Sequence, residues 1–97
     1  KKLTIICNEK TEDGHPFQIN KNCFLTDTYP DQNSYQKLYV INNINGKKKE
    51  IFSKRVDSQF NDTILRCDFH PRLSMNKKFF TIDIMLNKRR FQILFSL

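Results

Sequence analysis

The chain has 97 residues, of which 17 are Lys or Arg and 10 are Asp or Glu, so its formal net charge is +7. Hydrophobic residues make up 38% and charged residues 28% of the sequence, which is too apolar for a disordered chain and too polar for a membrane-spanning one. This length allows one small domain, and we expect residues 1–97 to form a single β domain cut from a longer protein.

The composition favours β-structure. The chain contains 9 Phe and neither Ala nor Trp. Ala is the best helix former, whereas aromatic and β-branched residues suit the pleated surface of a strand. Alternation of apolar and polar residues along the chain predicts about seven short strands. We therefore expect an all-β fold, either an antiparallel β-sandwich or a small β-barrel.

Two strands are predicted in the first 25 residues. The apolar residues that share one face of the first strand are Leu3, Ile5 and Cys7. Those that share one face of the second strand are Phe17, Ile19, Cys23 and Leu25. Lys21 interrupts the pattern of the second strand. A polar loop is predicted from Thr26 to Ser34.

Two hairpins are predicted downstream, each from a short polar turn between alternating strands. The first joins residues 35–44 to residues 47–56 through Asn45-Gly46, because a type I′ turn requires positive φ at both central residues. The second joins residues 79–86 to residues 91–97 through residues 87–90, which begin with an Asn able to adopt positive φ. One more strand is predicted at about residues 62–70, and a loop follows it.

Three cysteines, at positions 7, 23 and 67, cannot all pair within one chain. A free cysteine behaves as a small buried hydrophobe, which is one interpretation of all three. Cys7 and Cys67 lie on apolar faces of two predicted strands, and their spacing resembles that of the inter-sheet disulfide in immunoglobulin-like domains. That resemblance implies a Cys7–Cys67 bridge. Free thiols favour an intracellular location, whereas a bridge favours secretion.

The sequence offers no catalytic motif. With two glycines it contains no glycine-rich phosphate loop, and no Ser or Cys lies in a nucleophile motif. Cys67, Asp68 and His70 are close in sequence, but neighbouring residues of a strand point to opposite faces, and no second ligand pair lies nearby. We expect His15 to be solvated in a loop. The sequence therefore predicts no enzyme activity, no cofactor and no metal site.

Basic residues cluster at the predicted turns, namely Lys47, Lys48, Lys49, Lys77, Lys78, Lys88, Arg89 and Arg90. Lysines solvate turns and block aggregation at sheet edges, which is one interpretation of this pattern. The other interpretation is a phosphate-binding surface for nucleic acid or for an anionic membrane. Exposed aromatic residues beside the charges would add base stacking.

Strands that are apolar on both faces indicate that a partner covers one outer face. We therefore predict a non-enzymatic protein–protein interaction module in which Tyr35, Tyr39 and Phe79 are exposed and bind the partner. The partner is another protein, another part of the parent chain or a second copy of this chain, and a sheet edge allows strand addition. The alternative is a nucleic-acid-binding barrel of the oligonucleotide-binding type that uses the basic turns and the same aromatics.

Overall fold

A computed structural model of the chain describes residues 2–8, 12–57 and 66–97. These residues contain seven strands and no helix. The strands are β1 (Pro16–Asn20), β2 (Cys23–Asp27), β3 (Tyr35–Asn42), β4 (Lys48–Arg55), β5 (Arg72–Leu73), β6 (Phe79–Leu86) and β7 (Arg89–Ser96). The predicted all-β fold class is confirmed.

The strands form two antiparallel sheets. Sheet A has the order β1-β2-β3-β4 and sheet B has the order β5-β6-β7, so each strand pairs with its neighbours in the chain. Antiparallel neighbours of this kind need only short connections. At one end of sheet A the β1–β2 and β3–β4 turns are joined, because the Asn43 amide donates to the Asn22 carbonyl at 2.8 Å.

The core lies between the facing surfaces of the two sheets. Leu25 and Leu38 of sheet A and Ile82 of sheet B have no exposed surface. Phe52 of β4 contacts Phe95 of β7 with ring centroids 5.6 Å apart, which joins the two sheets directly. The architecture is therefore a small antiparallel sandwich whose inner residues alternate with outward-facing ones.

Both predicted hairpins are confirmed. In the β3–β4 connection, residues 43–47, Gly46 has φ +71° but Asn45 has no positive φ, so the predicted type I′ turn at Asn45-Gly46 is wrong although the hairpin forms. The β6–β7 turn consists of Asn87 at φ +48° and Lys88 at φ +62°, the two positive angles of a type I′ turn. Because such a turn has only two central residues, Arg89 and Arg90 belong to β7 and not to the predicted four-residue turn.

The first predicted strand is wrong. Residues 2–8 form no strand, and Leu3 and Ile5 are 93% and 80% exposed. Ile5 to Asn8 lie beside the β3–β4 turn instead of pairing in a sheet. Alternation alone therefore misidentified an irregular segment that packs on a turn.

The second predicted strand is two strands. β1 and β2 pair with each other across the turn Lys21-Asn22. The side-chain Oδ1 of Asn20 accepts a hydrogen bond from the Asn22 amide at 2.8 Å, a local contact that favours a turn. Lys21, which interrupts the apolar pattern, marks the point at which the chain reverses.

The strand predicted at about residues 62–70 is also wrong over residues 66–70. Residues 62–65 lie outside the described residues, and residues 66–71 form no strand. The segment runs beside β6, where the Asp83 amide donates to the Phe69 carbonyl at 2.7 Å, and Phe69 fills the core with no exposed surface. The two-residue strand β5 lies instead in the predicted loop.

Candidate functional site

Sheet B has an open edge at β7. In the described part of the chain, β7 pairs with β6 on one side and with no strand on the other. In a hairpin with a two-residue turn, the two residues that flank the turn form a hydrogen-bonded pair, and such pairs recur at every second residue along the strands. In the β6–β7 hairpin the flanking pair is Leu86 and Arg89. The bond from the Leu97 amide to the Lys78 carbonyl, 2.8 Å long, follows the same alternation.

Gln92, Leu94 and Ser96 occupy the intervening positions of β7. Their backbone N–H and C=O groups therefore point away from β6 and toward the open edge. β7 is eight residues long, which corresponds to about 26 Å at ~3.3 Å per residue. This edge is long enough for a ladder of several hydrogen bonds with one further strand.

Apolar side chains lie on both faces of β7. Phe91 is 46% exposed although its pairing partner Ile84 is buried, which places Phe91 at the uncovered margin of the core. Leu94 is 63% exposed on the outer face. Phe91 also lines a cavity of about 270 Å³ together with Cys67, Asp83, Arg90 and Gln92. A strand added to β7 would cover Phe91 and enlarge the core at this margin.

The three aromatic residues predicted to be exposed do not form one surface. Tyr35 is 40% and Phe79 is 37% exposed, whereas Tyr39 is only 6% exposed. The prediction of an exposed Tyr39 is therefore wrong. Tyr35 belongs to sheet A, and Phe79 lies on sheet B next to the buried Phe80 and faces outward. The two exposed rings thus lie on different sides of the sandwich.

The chain itself covers part of the outer face of sheet A. Ile6 lines a cavity together with Phe24 and Ile41, and Ile41 is 5% exposed. The ammonium group of Lys48 lies 4.7 Å from the centre of the Tyr39 ring. The part of the apolar outer face that contains Tyr39 and Ile41 is thus covered by neighbouring residues and not by a partner.

All three cysteines are free thiols, so the structure contains no Cys7–Cys67 bridge. Cys67 is buried, and its carbonyl accepts a hydrogen bond from Nε2 of Gln36 at 2.8 Å. Burial raises the pKa of the Cys67 thiol, although the nearby Arg90 guanidinium opposes that effect. A protonated, buried thiol is a weak nucleophile.

The basic residues of the predicted turns are separated in space. Of the eight, Lys48 is half-buried and the others are exposed. Lys88 lies beside Lys54 and Asp57, near the end of β4 opposite to Lys48. Six residues of strand correspond to about 20 Å at ~3.3 Å per residue. These residues therefore do not form one continuous patch.

A second site, which the sequence did not predict, lies where β1 begins and β2 ends. Asp27 has no exposed surface. Its Oδ1 accepts a hydrogen bond from the backbone N–H of His15 at 2.6 Å, and its Oδ2 accepts one from the backbone N–H of His70 at 3.1 Å. Nδ1 of His15 lies 3.1 and 3.2 Å from the same two oxygens. Because a carboxylate accepts and does not donate, we assign the ring proton to this nitrogen, so three donors surround the buried group.

The two histidine rings and Asp68 form the exposed side of this cluster. The rings of His15 and His70 stack with centroids 3.9 Å apart and planes inclined by 27°. Oδ2 of Asp68 lies 3.9 Å from Nε2 of His70. One nitrogen or oxygen atom from each of the three residues lies within 4.8 Å of the other two. The His70 side chain is 49% exposed, so solvent reaches the cluster.

Arg66 and Tyr29 border the cluster. The Arg66 guanidinium donates from Nε to Oδ1 of Asp68 at 2.7 Å and from Nη2 to Oδ2 at 3.3 Å. Its central carbon lies 4.0 Å from the centre of the Tyr29 ring. The Tyr29 ring in turn meets the edge of His15 at a centroid distance of 5.7 Å. The Arg66 guanidinium therefore pairs with the Asp68 carboxylate and, through Tyr29, packs against the same cluster.

Gly14 permits the close approach of this loop to β2. A Cβ atom at position 14 would lie 1.8 Å from the carbonyl oxygen of Asp27, which is far below a van der Waals contact. Only glycine fits without a shift of the backbone. Gly14 thereby allows the next residue, His15, to reach the Asp27 carboxylate.

The sequence contains one feature that the two histidines of this cluster share, although it does not indicate their contacts with Asp27. Both histidines precede a proline, in His15-Pro16 and His70-Pro71. A residue before proline is biased toward extended backbone, yet His70 has φ +43°, which is uncommon for a residue other than glycine. The contacts with Asp27 span 12 and 43 residues, and no local spacing indicates them.

Comparison of the sequence with models of known protein families finds no match, and comparisons with curated proteins and with solved structures find none either. Within residues 2–8, 12–57 and 66–97, no helical segment has the length and apolar character of a membrane span. The function is therefore inferred from the geometry of these surfaces.

Proposed function

We propose that this domain is a non-enzymatic protein–protein interaction module that binds an extended segment of a protein partner along β7. The supporting observation is the eight-residue edge of β7, which has no strand beside it in the described part of the chain. In such strand addition, backbone hydrogen bonds supply affinity, and contacts with alternate side chains supply specificity.

The side chains around β7 define the segment that would fit. The half-exposed Phe91 favours an apolar side chain on the core side of the added strand, and Leu94 favours another on the outer side. Lys88 and Arg89 are exposed at the hairpin end of this edge. An acidic residue at that end of the segment would complement their charge. The preferred ligand is thus an extended, alternately apolar segment with acidic residues at one end.

Nucleic acid is the second candidate ligand. An anionic membrane likewise presents negatively charged groups to basic residues. The net charge of +7 and the exposure of seven of the eight basic turn residues favour it. The separation of those residues and the burial of Tyr39 weaken it, because neither a continuous groove nor a row of stacking aromatics results. We therefore prefer a protein partner.

The test uses peptides selected from a displayed random library against the immobilised domain. Binding of the selected peptides is then compared by fluorescence anisotropy in the wild type, Gln92→Pro and Gln92→Ala. Both variants lose the side-chain contacts of Gln92. Proline also removes the outward backbone N–H, which makes no hydrogen bond with β6, whereas alanine keeps it. We expect Gln92→Pro to weaken binding about tenfold or more and Gln92→Ala to leave it nearly unchanged.

Two results would contradict the proposal: a library that yields no binding peptide, or equal affinity of both variants. Labelled oligonucleotides and anionic vesicles provide the comparison with the second candidate. Oligonucleotide binding that falls steeply with salt, by a log–log slope of about 0.7–0.9 per neutralised phosphate, would favour nucleic acid instead. Self-association that Gln92→Pro abolishes would identify a second copy of this chain as the added strand.

A further inference from the structure

His15, His70 and Asp68 supply a combination of ligands that suits zinc. Imidazole nitrogen and carboxylate oxygen are both common Zn²⁺ ligands, and two histidines with one carboxylate occur in sites that keep a fourth position for water. One such atom from each of these residues lies within 4.8 Å of the other two. The Asp68 side chain is 14% exposed and that of His70 is 49% exposed, so an ion can enter from solvent.

Asp27 gives His15 the orientation of a metal ligand. A metal-binding histidine usually donates its second ring N–H to a carboxylate or a carbonyl, which fixes the tautomer and the direction of the free nitrogen. Nδ1 of His15 lies 3.1 Å from Oδ1 of the fully buried Asp27. Nε2 of His15 is then the unprotonated nitrogen, and it is the one left to bind a cation.

From this geometry we propose that His15, His70 and Asp68 bind a Zn²⁺ ion, with Asp27 as the carboxylate that orients His15. This site shares no ligand residue with the β7 edge, and the proposal does not depend on the function proposed for that edge. The ion would join the loop before β1 to the segment before β5. Each of these elements already donates one backbone N–H hydrogen bond to the Asp27 carboxylate.

Binding requires a small rearrangement of side chains. Ligand atoms around a tetrahedral Zn²⁺ ion lie about 3.3 Å apart, since each Zn–N bond is about 2.0–2.1 Å long. Oδ2 of Asp68 is 3.9 Å from Nε2 of His70, and the two rings are stacked with centroids 3.9 Å apart. The half-exposed His70 ring must therefore rotate away from His15, whose position Asp27 fixes.

Arg66 competes with the ion for Asp68. Its guanidinium group makes hydrogen bonds of 2.7 and 3.3 Å with the two oxygens of Asp68. On zinc binding one of these oxygens would pass to the metal, while the guanidinium group keeps its contact with the Tyr29 ring at 4.0 Å. Arg66→Gln is therefore expected to strengthen zinc binding, because it removes a positive charge beside the site.

The experiment is calorimetric titration with Zn²⁺ in a Cys7→Ser, Cys23→Ser background, which removes the two half-buried thiols as other zinc ligands. We expect one equivalent to bind, and His70→Gln to weaken that binding by at least about 100-fold, the upper end of the loss for a supporting residue. Asp68→Asn should also weaken it. The matched control is Asp83→Asn, because Asp83 pairs with Arg72 at 2.6 Å as Asp68 pairs with Arg66.

A spectroscopic readout keeps the proposal testable even if a variant fails to fold. The chain has two histidines, so its imidazole nitrogen spectrum contains signals from these residues alone. Zinc should shift a nitrogen of both rings in the same titration, and Co²⁺ should give the visible bands of a tetrahedral ion. Absence of binding at millimolar Zn²⁺, unchanged affinity in a folded His70→Gln variant, or a shift confined to one ring would overturn the proposal.

Discussion

Polar groups at the β7 edge and in the Asp27 cluster differ in their exposure to solvent and in their hydrogen-bond partners. Along β7 the outward backbone groups of Gln92 and Leu94 face no strand in the part of the chain that the structure describes. At Asp27 a fully buried carboxylate has three N–H donors around it. Water can solvate the first groups, whereas a buried group that loses its partner has no substitute. The fold should therefore tolerate changes along β7 and be sensitive to changes at Asp27.

The largest expected effect is that of Asp27→Ala. This change leaves the part-buried backbone N–H groups of His15 and His70 without their acceptor, at a cost of about 1–3 kcal/mol for each group that water does not reach. We expect the free energy of unfolding in urea to fall by about 3 kcal/mol. The control is Asp83→Ala, which breaks an exposed pair with Arg72 and should cost less than about 1 kcal/mol. Equal losses of unfolding free energy in Asp27→Ala and Asp83→Ala would contradict the expected difference between the buried and the exposed carboxylate.

Gly14→Ala should have the next largest effect, because its Cβ would meet the Asp27 carbonyl oxygen at 1.8 Å and force the backbone to shift. We expect a loss of about 2 kcal/mol, typical of overpacking. Gly46→Ala is the matched change at a glycine with φ +71° and no contact shorter than 3.5 Å, and it should cost about 1 kcal/mol. A Gly14→Ala variant as stable as the wild type would show that the loop can move away from Asp27.

Amide hydrogen exchange tests the alternation along β7 without a substitution. The amides of Gln92 and Leu94 point to the open edge, whereas those of Ile93 and Phe95 donate to β6. We expect the first two to exchange at least about tenfold faster than the second two. Uniform protection along β7 would mean that another element or a second molecule pairs with this edge.

The smallest expected effect is that of pH on Asp31. The amide of Tyr35 donates to its Oδ1 at 2.9 Å and lowers the pKa of Asp31 below its ordinary value of 3.8, with further help from the Asn33 amide and Lys37. A lowered pKa in the folded state stabilises it above pH 3.8, and this stabilisation is lost as the pH falls below that value. The exposed position limits it to about 0.5 kcal/mol.

The measurement for Asp31 is urea unfolding of the wild type and Asp31→Asn, near neutral pH and below pH 3.8. The wild type should be the more stable at neutral pH, and the difference should shrink as the pH falls and protonation removes the charge of Asp31. A difference that stays constant with pH would show that the charge of Asp31 contributes nothing.

The features that the sequence predicted correctly are those encoded by neighbouring residues. Asn45-Gly46 and Asn87 mark turns, in which Gly46 and Asn87 have positive φ, and the alternating residues on either side form the strands. Lys21 is a polar residue within an apolar run, and it lies in the turn between β1 and β2. The prediction instead treated it as an exception within one continuous strand.

The sequence could not predict features that depend on which element covers which face. Tyr39 and Ile41 lie on a face of β3 that is apolar in sequence, and alternation does not reveal that the same chain covers it. Asp27 appeared to be an ordinary polar residue of the predicted loop from Thr26 to Ser34, because its partners His15 and His70 lie far from it in the chain. The open edge of β7 likewise follows from the strand order and not from the residues of β7.

The hydrogen bond between Asp27 and His70 also has a consequence for the order of events during synthesis. The two residues are 43 positions apart, and Phe69, which fills the core, is next to His70. A ribosome adds residues at about 5–20 per second, so the hairpins of sheet A are synthesised on the order of seconds before His70 supplies the third donor to this carboxylate. Until then the nascent sheet A has an apolar face that Phe69 does not yet cover.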